Sequence, residues 1–185
     1  TMKLILNLIK KDGGSIEVFE KDHIKYEDYI KDRIGFVFDS TYFYEDLTLE
    51  EASDILSVFY SKWDKSLLRY YLYQFNLNPK KKIKELSKGM KMKYSLAVAL
   101  CHDADFFILD EATSGLDPFT REEVLEILLE INRNRNKTFL FSSHIVSDME
   151  KIANKIIFIN DGEILLNDKT SSIIEKHLVV TGNIT

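Results

Sequence analysis

The chain has 185 residues, of which 45% are apolar and 30% are charged, a composition typical of one globular domain with a sizeable core. Its formal net charge of −5 argues against a general nucleic-acid-binding protein, because such proteins need a cationic surface to displace counterions. The single cysteine, Cys101, excludes a disulfide framework or a cysteine metal site and fits a reducing compartment. It stands in an apolar run, so we expect it in the core. No apolar run approaches the ~20 residues that span a bilayer, and no signal peptide is visible, so we expect any action at a membrane to need another chain.

The first half of the chain predicts short strands followed by a helical region. The helical region opens with a capping-box pattern, in which Thr48 is followed three residues later by Glu51. The predicted elements are a helix over 2–9, strands over 15–19 and 34–38, and helices that begin at Thr48 and Asp64 and end before Pro79.

The second half predicts strands that alternate with helices. In order these are a helix from Ser87 to Leu100, a strand over 106–109, a helix over 120–132, a strand over 138–141, a helix over 146–153, a hairpin of 156–159 with 164–166, and a helix over 170–177. Such alternation predicts an α/β fold with a parallel sheet covered on both faces. The region 48–85 has no strand signal, and we expect it to form a helical subdomain inserted into that core.

Two adjacent carboxylates, Asp110 and Glu111, follow the predicted strand Phe106–Leu109. Asp110 stands at the carboxyl end of a buried strand, where open α/β sheets bind ligands, and its carboxylate can hold Mg²⁺ directly or through water. Glu111 is one residue further and points elsewhere, so we predict it to be the general base or water-orienting group for attack on a nucleotide γ-phosphate. The alternative is a strand end that simply meets solvent.

The helix that begins at Ser87 offers a second candidate site, in the run Leu86-Ser87-Lys88-Gly89-Met90. Exposed N–H groups and the helix dipole favour anions there, Ser87 adds a hydroxyl, and Gly89 allows close backbone approach. The alternative is that Ser87 serves only as an N-cap. Lys88 is disfavoured by the dipole unless an anion lies nearby, so it is either a mild defect or a phosphate ligand.

A third candidate is His144, which follows the predicted strand 138–141 by three residues. A neutral imidazole at that carboxyl end can bridge a γ-phosphate and the attacking water. A lone histidine is more often structural, which is how we interpret His23, His102 and His177.

In their order and spacing, the runs Leu86–Met90, Phe106–Pro118 and Phe141–His144 resemble the signature, Walker B and switch-histidine motifs of an ABC-type ATPase. The resemblance covers nearly the whole chain. It implies a P-loop NTPase-type, mostly parallel sheet core over 1–47 and 86–185, with the helical subdomain over 48–85. The glycine-rich Walker A loop of that family, and the strands before it, are absent from the sequence. We therefore expect a single, partial, N-terminally truncated ABC ATPase domain.

The sequence departs from the family pattern at three of these positions. Lys88 and Met90 replace the first glycine and the glutamine of the usual Leu-Ser-Gly-Gly-Gln run, and variants with this lysine resemble bacterial exporter ATPases. Asp39 takes the place of a Mg²⁺-contacting glutamine; it can still ligate Mg²⁺, but it is shorter and adds negative charge beside the acid pair.

Asp117, in the turn Ser114–Pro118, either communicates across a dimer or caps the next helix.

The resemblance implies the ATP-binding and ATP-hydrolysing subunit of a bacterial exporter-type ABC transporter, with ATP and Mg²⁺ as cofactors. It implies a homodimer or heterodimer with the nucleotide between the two copies. One copy holds the nucleotide through Asp110, Glu111 and His144. The other copy covers it with Ser87, Lys88 and Gly89. It further implies integral membrane subunits contacted by the helical subdomain and the loop near Asp39, no nucleic-acid partner, and a cytoplasmic position at the inner face of the cell membrane.

Without the Walker A loop, we expect this chain alone to be inactive. The alternatives are a soluble ABC ATPase of DNA repair or translation and a non-catalytic interaction module.

Overall fold

The structure is a computed structural model that describes residues 1–39, 43–135 and 137–176. It forms two compact units, residues 1–142 and the residues from 143 onward. The elements of the first unit are, in chain order, α1 (Met2–Ile5), β1 (Glu17–Val18), β2 (Lys21–Asp22), α2 (Glu27–Lys31), β3 (Ile34–Val37), α3 (Leu49–Ser57), α4 (Lys65–Gln74), the 3₁₀ helix η1 (Ile83–Glu85), α5 (Lys88–Leu100), β4 (Phe106–Asp110), α6 (Pro118–Arg135) and β5 (Thr138–Ser142).

A three-stranded parallel sheet in the order β3-β4-β5 organises the first unit. Ile34 pairs with Phe106 and Phe106 with Thr138, so the three strands are in register and their carboxyl ends lie at one edge. The middle strand β4 is an apolar run whose three central residues are buried. The predicted α/β class with a parallel sheet is confirmed, because β3, β4 and β5 pair in parallel and helices lie between them in the chain.

Helix α5 is the main cover of the sheet, and nine of its 13 residues are buried. Cys101, directly after this helix, is fully buried as expected, and burial raises the pKa of its thiol to about 12. The thiol therefore stays protonated and packs as a small apolar group.

The described elements between residues 48 and 85 are helical, apart from a bridge that pairs Thr48 with Lys82. The predicted capping box at the start of α3 is confirmed: the Thr48 N–H donates to Glu51 Oε2 at 2.8 Å, and the Glu51 N–H donates to Thr48 Oγ1 at 3.2 Å. Asp64 caps α4 by accepting from the backbone N–H of Ser66 at 2.7 Å.

The first 33 residues differ from the expectation. Helix α1 ends at Ile5 rather than at Ile9, because Asn7 takes a left-handed backbone with φ 53° and the chain leaves the helix there. The predicted strand over 15–19 is reduced to β1, which pairs with β2, and the helix α2 was not predicted.

In the second unit the elements are α7 (Val146–Ile152), β6 (Lys155–Asn160), β7 (Glu163–Lys169) and α8 (Thr170–Lys176). Strands β6 and β7 form the predicted antiparallel hairpin, and its two-residue turn has positive φ at Asp161 and Gly162, as the tightest hairpins require. Residue 177, the last of the predicted tail helix, lies outside the described residues. Within the described ranges, every helix is too short or too polar to cross a bilayer.

Candidate functional site

The site begins at the carboxyl edge of the sheet, where β4 ends at Asp110 and β5 ends at Ser142. The register places these two residues opposite each other, and the Ser142 hydroxyl donates to Asp110 Oδ1 at 2.7 Å. The half-buried Asp110 carboxylate is therefore oriented by a side chain of the neighbouring strand.

Glu111 is the next residue and has a left-handed backbone with φ 52°. This conformation is uncommon for a residue with a Cβ and costs roughly 1–2 kcal/mol. Ser142 holds it in place, because the Glu111 N–H donates both to Ser142 Oγ at 3.0 Å and to the Ser142 carbonyl oxygen at 3.2 Å. The strand thus stops at Asp110 and the chain turns at Glu111, which gives the two acids separate surroundings.

The donor set at this edge fits a hard cation that keeps part of its hydration shell. The described residues contain no group of three or more His, Cys, Asp or Glu side chains that could hold a metal ion by themselves. Mg²⁺ needs fewer protein ligands than that, because it takes one or two carboxylates and completes its coordination shell with water and phosphate oxygens. Asp39 is exposed and comes two residues after Val37, which pairs with Leu109, so it stands at the same edge of the sheet.

The start of α5 has the geometry of an N-cap: the Met90 N–H donates to the Ser87 hydroxyl at 3.2 Å. Ser87 and Lys88 are exposed, whereas Gly89 is buried against α6. A Cβ on Gly89 would lie 2.6 Å from Thr120 Cγ2, so only glycine lets the starts of α5 and α6 pack this closely.

The turn 114–118 connects the acid pair to α6. Asp117 caps that helix, because its Oδ1 accepts from the Thr120 N–H at 3.0 Å, and this hydrogen bond lowers the pKa of the Asp117 carboxyl. Gly115 has φ 66°, and Lys88 of α5 lies directly against it.

His144 belongs to the second unit, in the segment 143–145 between β5 and α7, and its side chain is exposed. The Ile145 N–H donates to Ser143 Oγ at 3.0 Å, which shapes this segment. The structure thus brings Asp110 and Glu111 together at one strand end and brings Lys88 and Gly89 to the turn 114–118 and α6.

Sequence reasoning missed Ser142 as a site residue. The available signal was its position: the hydroxyl stands at the end of the strand that follows the acid pair, and parallel strands in register bring such ends together.

His23 and His102, interpreted as structural, are both buried with ring nitrogens near backbone carbonyl oxygens.

Comparison with known proteins gives a family match and close relatives. The family model described as ABC transporter matches residues 1–114. The bacitracin transport ATP-binding protein BcrA of Bacillus licheniformis is 33% identical over 167 residues, which are 89% of this chain and 55% of that protein. The lantibiotic transport ATP-binding protein SrtF of Streptococcus pyogenes is 32% identical over 89% of this chain and 71% of its own length.

A solved structure supports the fold. The ATP-binding cassette MJ0796, described as a dimeric post-hydrolysis state bound to ADP and Pi, superposes with a TM-score of 0.79 at 22% identity, over 91% of this chain and 78% of that one. The chain spans about half the length of several curated relatives that it matches. Because the family model covers well over half of the residues and the parallel sheet has the expected arrangement, this chain belongs to the ABC transporter family.

Proposed function

We propose that the chain is part of an ATP-binding and ATP-hydrolysing transporter subunit, which drives a membrane partner through ATP-dependent dimerisation. The observation that carries this proposal is the end of β4, where Asp110 is oriented by Ser142 and Glu111 follows in a left-handed turn. Two adjacent acids with different surroundings suit two different tasks in phosphoryl transfer. The names of the relatives, which are transport ATP-binding proteins, support the same assignment.

Each acid has a distinct role in this proposal. Asp110 holds Mg²⁺ directly or through water, with Asp39 as a second candidate ligand from the neighbouring strand. The bound ion would neutralise charge on the phosphates. Glu111 accepts the proton of the attacking water or orients that water, and His144 contacts the γ-phosphate.

The start of α5 serves the nucleotide of a second copy. Ser87 and Lys88 are exposed, and the first N–H groups of a helix favour a phosphate. In a homodimer or heterodimer, these residues and Gly89 would close over the nucleotide, and Asp117 would lie near the same contact. The helical region 48–85 and the segment near Asp39 would contact integral membrane subunits, with the chain at the inner face of the cell membrane.

These 185 residues alone should bind ATP poorly. The sequence contains no glycine-rich Walker A loop, whose backbone N–H groups and lysine supply most of the phosphate affinity in P-loop enzymes. Titration calorimetry on the 185-residue chain tests this expectation, and ATP binding in the micromolar range would contradict it.

The decisive experiment compares Glu111→Gln with Glu130→Gln in the full-length protein. Glu130 is exposed on α6 and provides a matched carboxylate away from the strand end. Loss of a general base costs roughly 10²–10⁴-fold in rate, so Glu111→Gln should lose ATP turnover and still retain nucleotide, whereas Glu130→Gln should match the wild type. A full-length protein that hydrolyses no ATP would favour the interaction-module alternative. Normal turnover by Glu111→Gln would instead refute the role of Glu111 as the general base.

A further inference from the structure

One hydroxyl joins the two acids of the candidate site. Ser142 Oγ donates to Asp110 Oδ1 at 2.7 Å and accepts the Glu111 N–H at 3.0 Å. A serine hydroxyl has a single hydrogen, and its donation to Asp110 leaves the oxygen lone pairs free to accept from Glu111. The two hydrogen bonds therefore form at the same time and do not compete. Asp110 and Glu111 are connected through this side chain as well as through their peptide bond.

The hydrogen bond to Asp110 orders the carboxylate for a cation. Ser142 pairs with Asp110 across β4 and β5, so their side chains lie on one face of the sheet. Among the residues that the structure describes, Ser142 is the single donor to this carboxylate. Because the hydroxyl engages Oδ1, Oδ2 is left available to a cation. The orientation of the cation ligand thus depends on one side chain of the neighbouring strand.

The hydrogen bond from Glu111 holds a backbone conformation that is otherwise unfavourable. Glu111 has φ 52°, and its N–H is shared between the hydroxyl and the carbonyl oxygen of Ser142. Strained conformations persist only where their surroundings fix them. Loss of the hydroxyl would leave the carbonyl oxygen, at 3.2 Å, as the acceptor of this N–H. The Glu111 backbone, and with it the direction of the Glu111 carboxylate, would then be less restrained.

We propose that Ser142 is a positioning residue that couples cation binding at Asp110 to the placement of Glu111. When a bound cation immobilises the Asp110 carboxylate, the hydroxyl stays directed at Oδ1 and its lone pairs stay directed at the Glu111 N–H. The general base is therefore best ordered when the cation is in place. The catalytic consequence rests on the proposed ATP hydrolysis, whereas the restraint of Glu111 by the hydroxyl does not.

Hydrogen–deuterium exchange in the full-length protein without nucleotide tests this restraint. Ser142→Ala should raise amide exchange in a peptide that covers 109–116 by roughly two- to tenfold, the factor that corresponds to one neutral hydrogen bond. Ser142→Thr keeps the hydroxyl and should match the wild type. Thr138→Ala, which removes an exposed hydroxyl at the other end of β5, is the control and should also match it.

Equal exchange in the wild type and Ser142→Ala would overturn the proposal, whether or not the protein hydrolyses ATP. A protein without ATPase activity in which Ser142→Ala still raises exchange would remove the proposed function and leave the restraint of Glu111 standing.

A Mn²⁺ titration followed by electron paramagnetic resonance, with ADP present, tests the cation side without turnover. Loss of a group that orients a metal ligand costs roughly 10–100-fold in metal affinity, so Ser142→Ala should weaken Mn²⁺ binding by at least about tenfold. Ser142→Thr and Thr138→Ala should bind Mn²⁺ as the wild type does. Unchanged affinity in Ser142→Ala would overturn the coupling. A wild type that binds no Mn²⁺ would overturn the cation role of Asp110 and the coupling together.

Steady-state ATPase kinetics at saturating Mg²⁺ test the effect on the general base. Ser142→Ala should lower kcat by about tenfold with little change in KM, and Ser142→Thr should restore most of kcat. In a Glu111→Gln background, Ser142→Ala should cause little further loss, because residues that act through one another are non-additive. An equal loss in both backgrounds, or a raised KM at unchanged kcat, would refute the action of Ser142 through Glu111.

Discussion

Replacement of Tyr94 by phenylalanine should destabilise the protein by the value of one hydrogen bond. Tyr94 is fully buried on α5, and its hydroxyl donates to the Leu49 carbonyl oxygen at 3.1 Å and lies 2.9 Å from Ser53 Oγ. Ser53 Oγ donates to the same carbonyl oxygen at 2.6 Å. Two hydroxyls supply only two hydrogens, so two of these three contacts are hydrogen bonds at any moment.

Without the tyrosine hydroxyl, Ser53 still donates to the Leu49 carbonyl, and no buried polar group loses its last partner. Tyr94→Phe should therefore reduce the free energy of unfolding by ~0.5–1.5 kcal/mol, and Ser53→Ala should cost a similar amount. The cost of the double variant should differ from the sum of the two, because the two hydroxyls contact each other and share one acceptor. Burial raises the pKa of Tyr94 to about 12, so the hydroxyl keeps its proton over the accessible pH range.

Urea unfolding of the full-length protein, followed by circular dichroism, measures these differences. Tyr70→Phe is the matched control, because Tyr70 is 51% exposed on α4 and should stay within about 0.5 kcal/mol of the wild type. A loss above ~3 kcal/mol for Tyr94→Phe would mean that a buried group is left unpaired. No loss at all would mean that the hydroxyl makes no hydrogen bond, and either result refutes the reasoning.

Two further predictions concern packing and pH. Gly35→Ala should lower the free energy of unfolding by ~1–3 kcal/mol, because the new Cβ would lie 2.6 Å from the Phe107 ring and 2.9 Å from the Ala99 carbonyl oxygen. Urea unfolding measures this loss. The control Gly13→Ala should show no such loss, because a Cβ there meets nothing within 4 Å. Burial lowers the pKa of His102, so the unfolded chain binds a proton that the folded chain resists, and stability should fall as pH drops from about 6.5 through the lowered pKa. A pH series of melting temperatures should become flatter in this range in His102→Gln, and an unchanged acid slope would contradict this origin.

Local signals in the sequence predicted the parts of the fold that depend on neighbouring residues. The strands at Ile34, Phe106 and Thr138 were each predicted within one residue of their observed ends, because each is a short apolar run bounded by polar residues. The caps at Thr48 and Asp64 were equally predictable, since a cap involves only residues up to three positions apart.

The remaining features depend on partners that are distant in the chain. Helix α1 stops at Ile5 although the apolar stripe continues, and Leu8 and Ile9 are about half exposed, so periodicity alone overestimated its length. Lys88 lies beside Gly115 because α5 packs on α6. The sequence motif suggests that Lys88 binds phosphate, but it gives no sign of this neighbour.

The acid pair shows how the sheet, rather than the motif, sets the geometry of the candidate site. The Ser142 hydroxyl donates its one hydrogen to Asp110 and accepts the Glu111 N–H, so a single side chain orders both acids. It can do so only because the parallel register places Ser142 opposite Asp110. A slip of one residue would turn the hydroxyl to the other face of the sheet. The cost of the left-handed Glu111 backbone is then offset by the three-centre hydrogen bond that its N–H donates to the hydroxyl and the carbonyl oxygen of Ser142. The position of this acid therefore follows from the pairing of β4 with β5.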